Sequence, residues 1–382
     1  MKRPYAFLFP LAAILGTFGV GHWILYGRGY LQSYTGQGHA LVQIQGFLAC
    51  FAFGFLFTMI PRRTQTAPPR AAEVVLSGTL LSIGAVGALL EKWLVSELAF
   101  LFALGVLLRF LRGRSGGEAN DGSGAGSFVL VRAGLFCGIA GAILVALAAV
   151  STLPDWVLPT GRACLQEGLF LGLVLGMGRL LHPALMGVSG ADCGGPRSAL
   201  RSSQIAGGLL LSSFVAQGWI ASTGHLLLAY RIAHGLRGCL VLWYLLTAVG
   251  AQRRPRSPGS HRHWIWLAFW MLPLGFLASA AFPSHRVSLM HIVFVGGFGL
   301  LSFGVGRHVT LAHGPRPELV HHKSWLVLLF GSLFLFAMLT RVSSDLMPEL
   351  YWIHIEGAAA AWIAALAVWT WSLVGNLRSR DV

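Results

Sequence analysis

The sequence predicts an all-α, polytopic membrane helix bundle. Three observations lead to this class: an apolar composition, recurring apolar runs and an uneven placement of basic residues. The chain has 382 residues, of which 55% are apolar and only 11% are charged, whereas soluble domains carry about 25% charged residues. Runs of about 20 apolar residues, each long enough to cross about 30 Å of hydrocarbon, leave no room for a sizeable soluble domain. We therefore expect a single transmembrane bundle over residues 1–382.

About twelve helices are expected, joined by short loops. In order along the chain they are predicted at residues 5–27, 38–60, 72–91, 94–111, 128–150, 158–181, 204–222, 225–249, 264–283, 287–306, 324–340 and 350–375. The sequence shows no convincing internal repeat. That absence argues against transporters built from repeated units.

The basic residues predict the orientation of the bundle. The net charge is +15, which by itself would allow a nucleic-acid partner. With the N-terminus inside, however, 21 of the 28 Lys and Arg residues fall on the cytoplasmic side and only five fall outside. This is the positive-inside bias of an even number of helices. We expect a bacterial inner-membrane protein with both termini cytoplasmic, basic loops facing lipid head groups, and no nucleic-acid partner.

Six of the fourteen histidines fall at one end of the predicted helices: His22, His39, His225, His285, His291 and His354. Histidine is costly within lipid and is a common ligand of haem iron and copper. Several imidazoles at a common depth, on helices far apart in the sequence, indicate a buried metal or haem site. For any single one of them, a wet histidine at the membrane interface is the competing interpretation.

Four of these histidines are the candidate ligands at that depth: His39, His225, His291 and His354. On the predicted second helix, small and polar residues share the face of His39, and alanines lie below His354. Such faces leave space for a flat macrocycle. They are equally typical of a small-residue groove in which two helices pack closely.

The predicted eighth helix carries Arg231, His234 and Arg237 within the membrane. An arginine at this depth costs several kcal/mol unless it is paired or hydrated. Its partner is expected to be a carboxylate or a haem propionate, and the available carboxylates are Glu167, Glu91, Glu97 and Glu356. The three basic residues are therefore candidate cofactor contacts, and the alternatives are a structural Arg–Glu pair or the lining of an anion path.

A second group of histidines lies on the predicted cytoplasmic side. Among them, His261 and His263 stand between arginines, and we expect them in a solvated or lipid-facing loop. The sequence has no phosphate-binding loop and no GxGxxG. Hydrolytic and nucleotide-driven chemistry therefore find no support.

Two segments resemble the NnrS family. The first runs from His39-Ala40 through Gly46-Phe47 to Gly54-Phe55-Leu56-Phe57-Thr58-Met59-Ile60-Pro61. The second runs from His291 through Gly296-Gly297 to the turn Gly306-Arg307-His308-Val309-Thr310-Leu311-Ala312-His313-Gly314. The resemblance implies a twelve-helix membrane protein that contains haem and copper and belongs to the bacterial nitric oxide response. By motif it selects His39, His291 and His313 as ligand positions.

We accordingly expect an integral membrane protein with a b-type haem and copper near the outer leaflet, binding nitric oxide or another diatomic ligand. Its metal ligands are expected among His39, His225, His291, His354 and His313. The sequence names no reaction and no protein partner. Two alternatives stay open: a cofactor-free solute permease whose anion path is lined by Arg231, His234 and Arg237, and a quinone-linked electron carrier.

Overall fold

Twelve membrane-length helices account for most of the structure, which confirms the predicted class. The computed structural model describes residues 1–112, 114, 123–188 and 196–378, and within these ranges the chain contains helices and no strand. In chain order the helices are Tyr5–Gly27 (α1), Gly36–Thr64 (α2), Ala71–Leu89 (α3), Trp93–Leu111 (α4), Gly126–Ala148 (α5), Val157–Met186 (α6), Arg197–Ser222 (α7), Leu226–Val249 (α8), His261–Ala281 (α9), Pro283–Ala312 (α10), Trp325–Ser343 (α11) and Pro348–Val374 (α12).

The bundle has two ends, set by the alternating direction of successive helices. Met1 and Tyr5 lie at the end where α1 begins, which we call the N-terminal end. His39 and His291 lie near the start of α2 and α10, at the opposite end, which we call the His39 end. All candidate ligands except His313 lie at the His39 end.

Several helices extend further toward the N-terminal end than their apolar runs predict. Helix α6 continues to Met186, α7 begins at Arg197, α9 begins at His261 and α10 continues to Ala312. Arg262 is therefore helical rather than in a loop, and its guanidinium donates hydrogen bonds to the carbonyls of Pro258 and Leu185. A hydropathy profile misses these added helical turns because their residues are polar. Polar side chains can still lie within the bundle when they form hydrogen bonds inside the protein.

The twelve helices form three units of four that share one packing pattern. The units are α1–α4, α5–α8 and α9–α12. Within each unit the first helix packs on the second and the third packs on the fourth. The fourth helix of each unit packs on the first helix of the next, and α12 closes the ring against α1.

The second helix of each unit has a distinctive internal structure. Helices α2, α6 and α10 are the longest of the twelve, and each contains a π-helical segment, at Val42–Leu48, Cys164–Gly168 and Ile292–Gly299. The fifth residue of each segment is a glycine, and a second glycine follows eight residues later. The two sets are Gly46, Gly168 and Gly296, and then Gly54, Gly176 and Gly304.

The expectation of no internal repeat is therefore wrong. Packing order, π segments and paired glycines recur in all three units, although little else in the sequence does. The repeat is hard to recognise in the sequence because the residues between the paired glycines differ from unit to unit.

A glycine on the first helix of each unit contacts the π segment of the second helix. A Cβ added to Gly19 would lie 2.7 Å from Val42 Cγ1. One added to Gly141 would lie 2.5 Å from Leu165 N, and one added to Gly275 would lie 2.6 Å from Val293 Cγ2. No side chain fits at these points, so glycine is required for the two helices to approach closely.

We predict that Gly141→Ala destabilises the protein. Its Cβ would meet backbone atoms, which cannot move aside, and overpacking of this kind costs roughly 1–3 kcal/mol. Gly208→Ala in α7 is the matched control because nothing lies within 4 Å of its added Cβ. Thermal unfolding in detergent should show a lower midpoint for Gly141→Ala only. Equal midpoints for the two variants would contradict the close approach of α5 and α6.

Candidate functional site

At the His39 end, two imidazoles are held by a single backbone carbonyl. His39 Nδ1 lies 2.7 Å and His22 Nδ1 lies 2.9 Å from the oxygen of Gly19. Because a carbonyl only accepts hydrogen bonds, both Nδ1 atoms must carry the proton. The Nε2 atom of each ring is then left with its lone pair free, and His22 Nε2 is buried with no hydrogen-bond partner in the described part of the chain.

His291 has the same arrangement on α10. Its Nδ1 donates to the carbonyl of Val287 at 2.7 Å, so its Nε2 also carries a free lone pair. The His39 and His291 imidazoles are close enough to interact electrostatically with each other. The two histidines that the motif and the depth argument both selected therefore lie at the same end of the bundle.

Arg341 of α11 is the cation of this site. It interacts electrostatically with both His39 and His291. Its Nη1 donates to the hydroxyls of Ser288 at 2.9 Å and Ser344 at 2.7 Å. The Asp345 carboxylate is 3.9 Å away. Sequence reasoning missed Arg341, which it had counted only as an outside charge.

His39 and His291 each lie in a short α-helical turn that leads into a π-helical segment. His39 lies in the α-helical turn Gly36–Leu41 that leads into the first π segment, and His291 ends the turn Arg286–His291 that leads into the third. Single π-helical turns inside α-helices occur frequently at functional sites. They rotate the residues that precede them relative to the rest of the helix.

An aromatic cluster borders the site. Trp23 meets the His39 ring edge-on, with centroids 5.4 Å apart. Trp23 also packs on Tyr34 at 4.9 Å, and Tyr34 packs on Trp352 at 5.4 Å. Trp and Tyr rings are typical of the membrane interface, where one edge is apolar and the other is wet.

The remaining candidates at this end are placed less centrally. His354 Nδ1 is 3.1 Å from the Ser343 hydroxyl, and His285 Nδ1 is 3.7 Å from the Asp345 carboxylate. His225 is exposed where α8 begins, in the second unit. A ligand role for His225 or His354 stays a prediction.

The space below His39 is used for helix packing. Gln43, one turn after His39, donates to the carbonyl of Gly16 at 2.9 Å. A Cβ added to Gly46 would already be in van der Waals contact with Leu15. The small-residue face of α2 therefore packs against α1, as the helix-packing interpretation expected.

A buried ion pair occupies the second unit. Arg237 donates to Glu167 at 2.6 Å, to Gln217 at 2.7 Å and to Ser213 at 3.0 Å. Glu167, in the π segment of α6, also lies 3.4 Å from His234 Nε2. Arg237 is thus paired with Glu167, one of the carboxylates expected as its partner. A cofactor contact of these basic residues stays a prediction. Arg231 is on the exposed face of α8 and does not join this network.

The N-terminal end holds a separate set of histidines. The Arg62 guanidinium donates to His313 Nδ1, and the Tyr5 hydroxyl donates to the His313 carbonyl at 2.9 Å. Burial and the charge of Arg62 lower the pKa of His313 to about 4. At about 1.5 Å per residue, α10 places His313 roughly 30 Å from His291, so His313 can serve only a second site.

The prediction of a solvated or lipid-facing loop is wrong for His261. This residue begins α9, is 1% exposed, and its Nε2 lies 3.1 Å from His308 Nδ1. His263 is exposed, as expected. The arginines around His261 indicated an exposed loop, but the neighbouring Arg262 is itself buried.

The fold and this site define a polytopic, all-helical membrane protein with clustered imidazoles at one end. A profile of the family described as NnrS protein matches residues 1–380, nearly the whole chain. The chain therefore belongs to the NnrS family, as its two motifs predicted. A comparison with curated proteins found no match.

We predict that Arg237→Leu is strongly destabilising. It leaves the Glu167 carboxylate buried without its cation, and breaking a buried pair costs roughly 3–5 kcal/mol. Arg231→Leu, on the exposed face of the same helix, is the matched control and should unfold like the parent. The double variant Glu167→Leu/Arg237→Leu should regain much of the loss, since no charge is left unpaired. Thermal unfolding in detergent measures all three, and a parent-like Arg237→Leu would contradict the structural role of the pair.

Proposed function

We propose that this protein binds haem at the His39 end and uses it, with copper, in the nitric oxide response. Membership of the NnrS family supports a membrane protein of that response in general. The observation that carries the haem assignment is the shared state of His22, His39 and His291. Each donates its Nδ1 proton to a backbone carbonyl and keeps Nε2 free, which is how metal-ligating histidines are usually oriented.

The donor set suits haem better than a bare metal ion. Among the residues that the structure describes, no three His, Cys, Asp or Glu side chains are arranged to hold a metal ion. Haem needs only one or two axial imidazoles, because its porphyrin supplies the other four ligands. His39 and His291 are the residues that would hold the haem iron, whereas copper binding by this chain is supported by the family alone.

The chain's other groups have definable tasks at such a site. Arg341 supplies a positive charge for a propionate carboxylate, and Arg pairs well with carboxylates. Trp23 packs edge-on against the His39 ring and so helps to hold its orientation. Bound haem supplies an iron to which a diatomic ligand can attach. The residues shown here orient the imidazoles and set the polarity around them.

The permease alternative finds less support. An anion path needs cations with free donors, and Arg237 is fully engaged by Glu167, Gln217 and Ser213. Arg231 faces away from the network. No feature of the described residues favours a quinone-linked electron carrier over the haem proposal.

We also propose that the protein lies in a bacterial inner membrane with both termini cytoplasmic. The support is the 21-to-5 distribution of basic residues between the two sides. The His39 end then faces outward. A reporter fused after Arg254, between α8 and α9, should give a cytoplasmic signal, and a signal from the outer side would reverse the placement of the site.

The haem assignment predicts that His39→Ala and His291→Ala each lower the Soret absorbance per protein to less than half, because each removes an axial nitrogen. His263→Ala, an exposed histidine at the other end, is the matched control and should keep the parent spectrum. Circular dichroism and elution volume establish that each variant is folded. Folded variants that both keep the full Soret band would remove His39 and His291 from the site.

A further inference from the structure

A partly open space lies between the second helices of the three units. It is a cavity of about 90 Å³ lined chiefly by α2, α6 and α10, with α1 and α9 contributing the rest of its wall. It lies away from the His39 end, deeper in the bundle. The residues that line it belong to neither the histidine cluster nor the Glu167–Arg237 pair.

The cavity is lined by equivalent positions of the three central helices. Counted from the start of each π segment, the tenth residue lines it in every unit, and so does the eleventh. These six residues are Phe51, Leu173 and Leu301, followed by Ala52, Val174 and Ser302. The fourteenth and fifteenth residues repeat the pattern one turn further along. The cavity therefore lies on the approximate threefold axis of the molecule.

The lining is largely apolar. Among the described lining residues, only Ser302 and His182 have polar side chains. His182 is fully buried and lies on the side of the cavity nearer the N-terminal end of the bundle. A buried water molecule needs two to four polar partners within reach, and apolar cavities of about 150 Å³ in other proteins stay dry and take up xenon or benzene. A cavity of about 90 Å³ accepts molecules smaller than benzene.

The position of the residues explains why the space is not filled by packing. Gly178 and Gly306 occupy the same position on α6 and α10, where α2 has Leu56. Three side chains of leucine size at one level of a threefold axis would meet at the centre. The two glycines admit aromatic rings instead: a Cβ added to Gly178 would lie 2.9 Å from Phe269 Cε1, and one added to Gly306 would lie 2.8 Å from Phe51 Cε1. The space that these rings do not fill forfeits dispersion contacts. A small apolar guest restores those contacts.

We propose that this axial cavity is a binding site for a small, uncharged, apolar molecule of the size of a dissolved diatomic gas. Such molecules partition into apolar surroundings and need no hydrogen bonds. The site is separate from the proposed haem site and does not depend on it. Xenon is the appropriate probe, because it is apolar, close to this size and electron-dense.

The test uses crystals of the full-length protein pressurised with xenon. The expected result is an anomalous peak between α2, α6 and α10 at the level of Phe51 and Ala52. Xenon found only at lipid-facing surfaces, or ordered water in the cavity, would overturn the proposal. The parent protein alone decides this point, whatever haem or copper it contains.

Cavity-filling variants add an internal check. Ala52→Phe directs a ring into the cavity and should abolish the axial peak, and Ser302→Leu should do the same from α10 if the first variant folds poorly. Ala360→Phe, on the exposed face of α12, is the matched control and should retain the peak. An axial peak that persists in a folded filling variant would place the xenon elsewhere and contradict the assignment.

Discussion

The contact between a glycine on the first helix and the π-helical turn of the second is the constraint on which the rest of the structure depends. It recurs at Gly19, Gly141 and Gly275, and at each of them a methyl group would collide with the neighbouring helix. Within a bilayer there is no hydrophobic force between helices, so close van der Waals packing must hold them together. In the first unit, the glycine of this contact also orients two imidazoles, because the Gly19 carbonyl accepts a hydrogen bond from both His39 and His22.

The three units share one helix arrangement but carry different buried polar residues. The fourth residue of the π segment is Gln45 in the first unit, Glu167 in the second and Val295 in the third. Gln45 donates to the buried carboxyl group of Glu97 at 2.7 Å, whereas Glu167 accepts from Arg237 at 2.6 Å. Both pairs join the second and fourth helices of their unit. Buried polar groups are costly unless they are satisfied, so these pairs strengthen the unit only as complete pairs.

The sequence predicts the helix count and most spans because crossing the bilayer requires a run of about 20 apolar residues, which hydropathy detects. It fails where side chains satisfy one another inside the protein. Arg262, Arg307 and His261 look like loop residues but lie in helices. Arg262 bonds the Leu185 carbonyl, Arg307 bonds the Ser372 hydroxyl, and His261 lies against the His308 ring. The histidine cluster was predictable in part: depth and motif select His39 and His291, but the shared carbonyl of Gly19 and the approach of Arg341 depend on tertiary contacts. The repeat is not apparent from the sequence because the units share only a few glycines, and their other common features are π segments and packing order.

We propose that this helical frame presents His39 and His291 to a common haem. A cryo-electron microscopy map of the full-length protein, purified from haem-replete cells into lipid nanodiscs, tests it most directly. The account predicts haem density at the His39 end between α2 and α10, with Nε2 of His39 or His291 directed at the iron and a propionate near Arg341. Haem density elsewhere in the bundle, with both imidazoles facing lipid, would contradict it.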